Sequence, residues 1–142
     1  MKCQPTPIAV PASTPHALRV LVVDDDAACA AGLAEAICDL GAETRICLNG
    51  PDALAAARAF HPELVLLDLE MPGASGFDVA NAIRRVGSLT ATKLIALSGH
   101  SDAEARTGSA QAGFDLHLAK PLRLSLLEDI IDLARLTMAG HA

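Results

Sequence analysis

The chain has 142 residues, the usual size of a single domain, and its 51% hydrophobic and 20% charged residues indicate a folded core. Aromatic residues make up only 2%, and 17 acidic residues outnumber 11 basic ones, so we expect no direct binding of nucleic acid through base stacking or a basic face. The apolar runs are too short to cross a membrane, and the start does not resemble a secretion signal. We therefore expect a cytoplasmic protein without a membrane segment, whose cysteines are free thiols that fill the core.

The N-terminal segment differs in composition from the rest of the chain. Half of the eight prolines fall within its first fifteen residues, where they disfavour a helix or a strand ladder. We therefore predict a flexible leader or linker over residues 1–17, a folded domain over 18–138 and a short tail over 139–142.

Short apolar runs recur through the remaining sequence and are typical of parallel strands buried on both faces. Between and after them, apolar residues three or four apart predict five helices, of which the third ends at Gly87 and the fourth, over about 102–111, is weakly amphipathic. This alternation predicts an α/β fold with a parallel sheet and helices on both faces. The predicted strands are Val20–Val23, a mixed edge strand at Glu43–Leu48, Leu64–Leu67, Leu94–Leu97 and Leu116–Ala119.

Polar side chains follow four of these predicted strands, and in such folds ligands bind beyond the carboxyl ends of the strands. A single Asp or Ser there is usually a helix cap, but carboxylates, a hydroxyl and an ammonium together favour a binding site. Adjacent carboxylates repel each other unless a cation neutralises them, and Mg²⁺ suits such ligands and leaves room for phosphate oxygens. Glycine-rich nucleotide loops are absent from the sequence. The strand ends hold Asp24-Asp25-Asp26, Asp68, Ser98-Gly99 and Lys120-Pro121.

Four segments carry these residues: Val22-Val23-Asp24-Asp25, Leu66 to Gly73, Ala96-Leu97-Ser98-Gly99, and Ala112 through Pro121. Together they resemble the receiver domain of two-component response regulators, with a finer likeness to receivers fused to hybrid histidine kinases. The resemblance covers roughly Leu18 to Met138. It implies a flavodoxin-like (βα)5 fold with strand order 2-1-3-4-5 and a role in phosphorelay signal transduction.

The resemblance implies that Asp68 is the nucleophile that accepts a phosphoryl group from a phosphohistidine of a sensor histidine kinase or phosphotransfer domain. Ser98 would donate a hydrogen bond to a phosphoryl oxygen, and Lys120 would pair with Asp68 and later with the phosphoryl group. Such transfer needs little covalent chemistry from the protein beyond an in-line carboxylate, and metal and ammonium hold the charge. With this resemblance we expect no independent enzyme activity beyond self-phosphorylation and autodephosphorylation. The resemblance also implies a cis Lys120–Pro121 bond.

The same resemblance implies a Mg²⁺ site and leaves Asp26 outside it. Asp25, Asp68 and the backbone carbonyl of Glu70 would bind the ion directly, while Asp24 would act partly through water. We predict that Asp26 instead caps the first helix.

Two further pairs of residues follow from the resemblance. Ser98 and His117, which replaces the family's usual aromatic residue, would form the switch that changes the face of the fourth helix, fifth strand and fifth helix. Glu70 and His100 hold the positions that tune the lifetime of the phosphorylated state. We expect the Glu70 carboxylate to leave the approach to phosphorus open and His100 to shield it.

Two other functions stay open at this point. One is a receiver-like interaction module that takes no phosphate, although the complete acidic, hydroxyl and ammonium set argues against it. The other is an aspartyl phosphohydrolase of the haloacid dehalogenase kind, because Asp24 and Asp26 have the spacing of its two acids. Ala27 and Ala28 depart from that family's pattern, and the chain is short for that fold.

Overall fold

A five-stranded parallel sheet forms the centre of the computed structural model, which describes residues 17–71, 74–99 and 113–139. Its strands are β1 Arg19–Val23, β2 Glu43–Cys47, β3 Leu64–Asp68, β4 Lys93–Ser98 and β5 Leu116–Ala119. Neighbouring strands pair in the order β2-β1-β3-β4-β5. The predicted α/β class and the order 2-1-3-4-5 are therefore confirmed.

Side chains alternate along the central strands and fill two hydrophobic layers. In β1, Leu21 and Val23 belong to one layer and Val20 and Val22 to the other, and all four are fully buried. β3 and β4 are buried in the same way, which explains their unbroken apolar sequences. β2 and β5 are partly exposed. The edge position of β2 was predicted, whereas full burial of β5 was wrong because β5 has a neighbouring strand on one side only.

Helices cover both faces of the sheet, as predicted. Each of the first three helices begins at a residue whose side-chain oxygen accepts hydrogen bonds from first-turn amides. These capping residues are Asp26, Asn49 and Ser75. In the described residues no helix is long and apolar enough to span a membrane. One face carries α1 (Ala27–Asp39) and the C-terminal helix (Leu124–Ala139), and the other carries α2 (Gly50–Phe60) and α3 (Gly76–Arg84).

Helix α3 ends at Arg84, earlier than the stop predicted at Gly87. The amides of Arg85 and Val86 bond to carbonyls three residues back, which tightens the last turn and ends the α-helix there. Residues Gly87–Leu89 then form a separate 3-10 turn. The predicted fourth helix, over about 102–111, lies outside the described residues.

The cysteines differ from the expected free thiols of the core. Cys47 is free and buried, as expected. Cys29 is free but exposed, because the buried stripe of α1 consists of Ala30, Ala34 and Ile37 and leaves Cys29 on the other side. Cys38 is disulfide-bonded, so the expectation of a free thiol is wrong there.

Candidate functional site

Three aspartates meet where β1 and β3 end. Because these strands are parallel neighbours, Asp24 and Asp68 emerge close together, and each is only 3% exposed. Asp25 is exposed beside them, and one carboxylate oxygen from each of the three lies within 4.8 Å of the others. Oxygen ligands at this spacing suit a hard divalent cation such as Mg²⁺, which takes one or two carboxylates and retains water. The donor set therefore fits the predicted metal.

The Lys120 ammonium lies against two of these carboxylates. Its Nζ is 3.1 Å from Asp24 Oδ2 and 3.3 Å from Asp68 Oδ2. Burial by itself would lower the pKa of Lys120, but the hydrogen bond to Asp24 and the negative charge of Asp68 outweigh burial and raise this pKa. Lys120 is therefore a fixed positive charge between two buried acids. The expected cis Lys120–Pro121 bond is present.

The Asp68 carboxylate is held by partners on both oxygens. Its Oδ1 accepts a hydrogen bond of 3.0 Å from the backbone amide of Glu70, and its Oδ2 faces Lys120. Burial raises the pKa of Asp68 and the charge of Asp24 adds to this, while the Glu70 amide and the Lys120 ammonium oppose the rise. The ionised form of Asp68 is thus costly in the protein alone, which favours binding of a further cation.

Ser98 closes the site from the end of β4. The register pairs Asp68 with Leu97 across the two strands, so that Ser98 follows directly at the same rim, and its side chain is buried. Its hydroxyl donates to Glu70 Oε1 at 3.1 Å, and the backbone amide of Gly99 donates to the same oxygen at 2.8 Å. Two donors at the end of β4 thus hold the Glu70 carboxylate. The expectation that this carboxylate leaves the approach to phosphorus open stays a prediction.

Asp26 lies outside the acidic cluster. Its Oδ1 accepts hydrogen bonds from the amides of Ala28 and Cys29 at 3.0 and 3.1 Å, which confirms it as the cap of α1. These bonds lower the pKa of Asp26, and the bond from the Cys29 amide has the largest effect. A phosphohydrolase would need this carboxylate as its acid, so its use as a cap argues against that function.

Only one of the two histidines in the predicted switch and lifetime pairs lies within the described residues. His117 lies in β5 at a half-buried position and pairs in register with Ala96 of β4. His117 and Ser98 are thus on neighbouring strands, as a coupled pair requires, but their switch role stays a prediction. His100 lies outside the described residues, and its role also stays a prediction.

Gly76 is a residue of this site that the sequence interpretation missed. A Cβ atom placed there would lie 2.8 Å from the backbone oxygen of Asp68 and 2.9 Å from Leu69 Cα. Both are backbone atoms, so they cannot swing away from an added side chain. Gly76 therefore lets the start of α3 pack against the residues that carry the Asp68 carboxylate. A glycine directly after the capping Ser75 was the available signal in the sequence.

Residues 20–132 match the family described as the response regulator receiver domain. A curated relative, the DNA-binding response regulator MtrA of Mycolicibacterium paratuberculosis, is 34% identical over 105 residues, which are 74% of this chain and 45% of MtrA. The chain thus spans less than half the length of that relative.

Solved structures are similar over most of the chain. The signal receiver domain of the DNA-binding response regulator protein merR from Colwellia psychrerythraea 34H has a TM-score of 0.76 at 27% identity, covering 82% of this chain and 96% of that one. A BeF3-activated DrrB receiver domain has a TM-score of 0.74 at 27% identity, covering 84% and 97%. With the family match and the acidic site at the strand ends, these likenesses show that the chain belongs to the response regulator receiver domain family.

Proposed function

We propose that this receiver domain accepts a phosphoryl group on Asp68 in a two-component phosphorelay. The supporting observation is that the Asp68 carboxylate lies 3.3 Å from the Lys120 ammonium and beside the buried Ser98 at adjacent strand ends. A carboxylate can serve as a nucleophile towards phosphorus when nearby groups stabilise the transferring charge. The site provides one cation and one hydroxyl donor for that purpose.

The proposed donor is a phosphohistidine of a sensor histidine kinase or of a phosphotransfer domain. An Asp68 oxygen forms the new P–O bond while the P–N bond of the donor breaks, and the electron pair of that bond stays on the imidazole nitrogen. Lys120 then pairs with the phosphoryl group, and the Ser98 hydroxyl donates to one of its oxygens. We place this reaction in the cytoplasm as part of the same proposal.

Mg²⁺ is the proposed cofactor. Asp25, Asp68 and the Glu70 carbonyl would hold it, with Asp24 acting partly through water. When bound, the ion neutralises carboxylate charge and stabilises the charge that develops on the phosphoryl oxygens. The acidic cluster supports this proposal. Among the described side chains, its two buried carboxylates pair with a single ammonium, that of Lys120.

Phosphorylation is proposed to act on the face that contains β5 and the C-terminal helix. New charge on Asp68 would draw Ser98 inward, and His117 on the neighbouring strand would follow into the space released. Amide chemical shifts recorded with beryllofluoride test this step. Changes confined to the loops around Asp24, Asp68 and Lys120 would contradict it, whereas changes along β5 and the C-terminal helix are expected.

Intact-mass measurement after incubation with Mg²⁺ and acetyl phosphate tests the function itself. We expect one phosphoryl adduct on the wild-type protein, none on Asp68→Asn, and an undiminished adduct on Asp129→Asn, which removes an exposed carboxylate of the C-terminal helix. No adduct on the wild type would favour an interaction module that takes no phosphate. An adduct of full yield on Asp68→Asn would show that another residue is the acceptor.

A further inference from the structure

The Glu70 carboxylate joins the ends of two strands. A single oxygen, Oε1, accepts hydrogen bonds from the Ser98 hydroxyl at 3.1 Å and from the Gly99 amide at 2.8 Å. These donors lie 28 and 29 residues further along the chain, so the contact exists only because β3 and β4 are paired. A hydroxyl and an amide that share one anionic oxygen form a small oxyanion-binding site.

The same two donors border the proposed phosphoryl acceptor. Asp68 pairs in register with Leu97, and Ser98 and Gly99 follow that residue immediately. A phosphoryl group on Asp68 would place anionic oxygens at this rim, where hydroxyl and amide donors stabilise them. Glu70 and the phosphoryl group therefore compete for the same hydrogen bonds, since neither donor can point its hydrogen at both.

We propose that the Glu70 carboxylate is a tethered anion that occupies the phosphoryl-oxygen donors Ser98 and Gly99 in the unphosphorylated protein and must leave before a phosphoryl group can use them. This inference depends on the proposed function, because it concerns the same site. Glu70 is the second residue after the acceptor, so its backbone, which donates to Asp68, can stay in place while its side chain swings away. The contact then restrains phosphorylation because Glu70 itself occupies the two donors, and not because it blocks the acceptor carboxylate.

The Glu70 carboxylate lies beside the backbone of Gly99. A Cβ atom added at Gly99 would have Glu70 Oε1 as its nearest neighbour, at 3.4 Å, an ordinary van der Waals distance. The carboxylate therefore lies directly over the Gly99 backbone. Because Glu70 is exposed as a whole, its charge can return to water when it is displaced, which keeps the contact reversible.

When Glu70 occupies the donors, a phosphoryl mimic can use them only in the remaining molecules. Its apparent affinity is then the intrinsic affinity multiplied by the fraction of molecules in which the donors are free. If Glu70 holds the donors about nine-tenths of the time, its removal should tighten binding of beryllofluoride about tenfold. Glu70→Asp keeps the negative charge but shortens the side chain by one methylene, so it should tighten binding as Glu70→Ala does. Glu70→Gln keeps the length and a neutral acceptor, so it should give an intermediate affinity.

The experiment is calorimetric titration of the full chain with beryllofluoride in excess Mg²⁺, with Mg²⁺ affinity measured separately for each variant. Glu35→Ala, which removes an exposed carboxylate of α1, is the matched control and should bind as the wild type does. The second readout is the Gly99 amide proton resonance without any ligand. We expect it to move to lower frequency in Glu70→Ala and Glu70→Asp, because the hydrogen bond to the carboxylate is lost.

The outcomes separate this inference from simple charge repulsion and from the function itself. Tighter binding by Glu70→Ala and Glu70→Gln with Glu70→Asp unchanged would mean that charge alone matters, and would overturn the inference. An identical Gly99 resonance in wild type and Glu70→Ala would overturn it as well. No beryllofluoride binding by the wild type or any variant would overturn the proposed function, whereas the Gly99 resonance needs no ligand and tests the contact alone.

Discussion

Lys120 Nζ lies 3.1 Å from Asp24 Oδ2, a contact that joins the first and last strand ends across 96 residues of sequence. The ammonium also lies 3.3 Å from Asp68, so a single cation reaches both buried acids of the site. Removing it would leave two carboxylates facing each other at low exposure, where their repulsion is weakly screened. We therefore expect Lys120 to stabilise the folded protein in the absence of a phosphoryl group.

Lys120→Met should destabilise the protein by about 1–3 kcal/mol in EDTA, because it leaves Asp24 and Asp68 without their shared counter-charge. The same variant should bind Mg²⁺ more tightly, since the site becomes more negative. Urea unfolding with and without Mg²⁺ measures both effects. Arg123→Met, which removes an exposed cation three residues later, should change stability by less than about 0.5 kcal/mol. Equal losses in the two variants would contradict a specific role for Lys120.

Gly76→Ala should destabilise the protein by about 1–3 kcal/mol and slow phosphorylation by acetyl phosphate. Its Cβ atom would meet the Asp68 backbone oxygen at 2.8 Å, so Asp68 must shift to make room. Gly32→Ala is the matched control, because an added Cβ in α1 meets nothing within 4 Å and alanine favours the helix. Unfolding curves and the rate of phosphoryl adduct formation measure the two effects. A Gly76→Ala variant with the stability and the adduct-formation rate of the wild type would refute the prediction.

Arg84→Ala should lower the free energy of unfolding by about 2–3 kcal/mol. The Arg84 guanidinium donates to the Gly113 carbonyl at 2.9 Å and to Asp115 Oδ2 at 2.8 Å, and it also donates to the Thr92 carbonyl. It thereby connects the end of α3 to the segments that lead into β4 and β5. Arg85→Ala, a change at the exposed next residue, should cost less than about 0.5 kcal/mol. Similar urea midpoints for the two variants would show that this network adds no stability.

Asp68→Asn should make the protein more stable than the wild type at neutral pH in EDTA. The pKa of Asp68 is raised by burial and by Asp24, so the folded state holds this proton more tightly than the unfolded chain does. Ionisation of Asp68 therefore costs stability as the pH rises through the folded pKa, and the asparagine variant avoids that cost. The advantage should disappear below the unfolded value near 3.8. Urea unfolding across this range measures it, and a less stable variant at neutral pH would contradict the sign.

Local sequence was sufficient for the strands of the sheet, for the α-helices within the described residues and for the membership of the acidic cluster. Buried strands need apolar side chains on both faces, so β1, β3 and β4 are visible as unbroken runs, and Asp26 is recognisable because a cap bonds amides only two or three residues away. Strand ends of a parallel sheet meet at one rim, which made the meeting of Asp24 and Asp68 predictable. The sequence by itself therefore determined the fold class and which groups share the site.

Only the tertiary structure decided how those groups pair with one another. Two of these pairings depend on the register of paired strands and on side-chain rotamers. Lys120 is shared between Asp24 and Asp68, and the Glu70 carboxylate accepts hydrogen bonds from Ser98 and Gly99. The role of Gly76 likewise depends on how closely α3 approaches the end of β3. Such contacts join residues far apart in sequence, and their energies differ over tenths of an ångström, which a linear pattern of residue types does not encode.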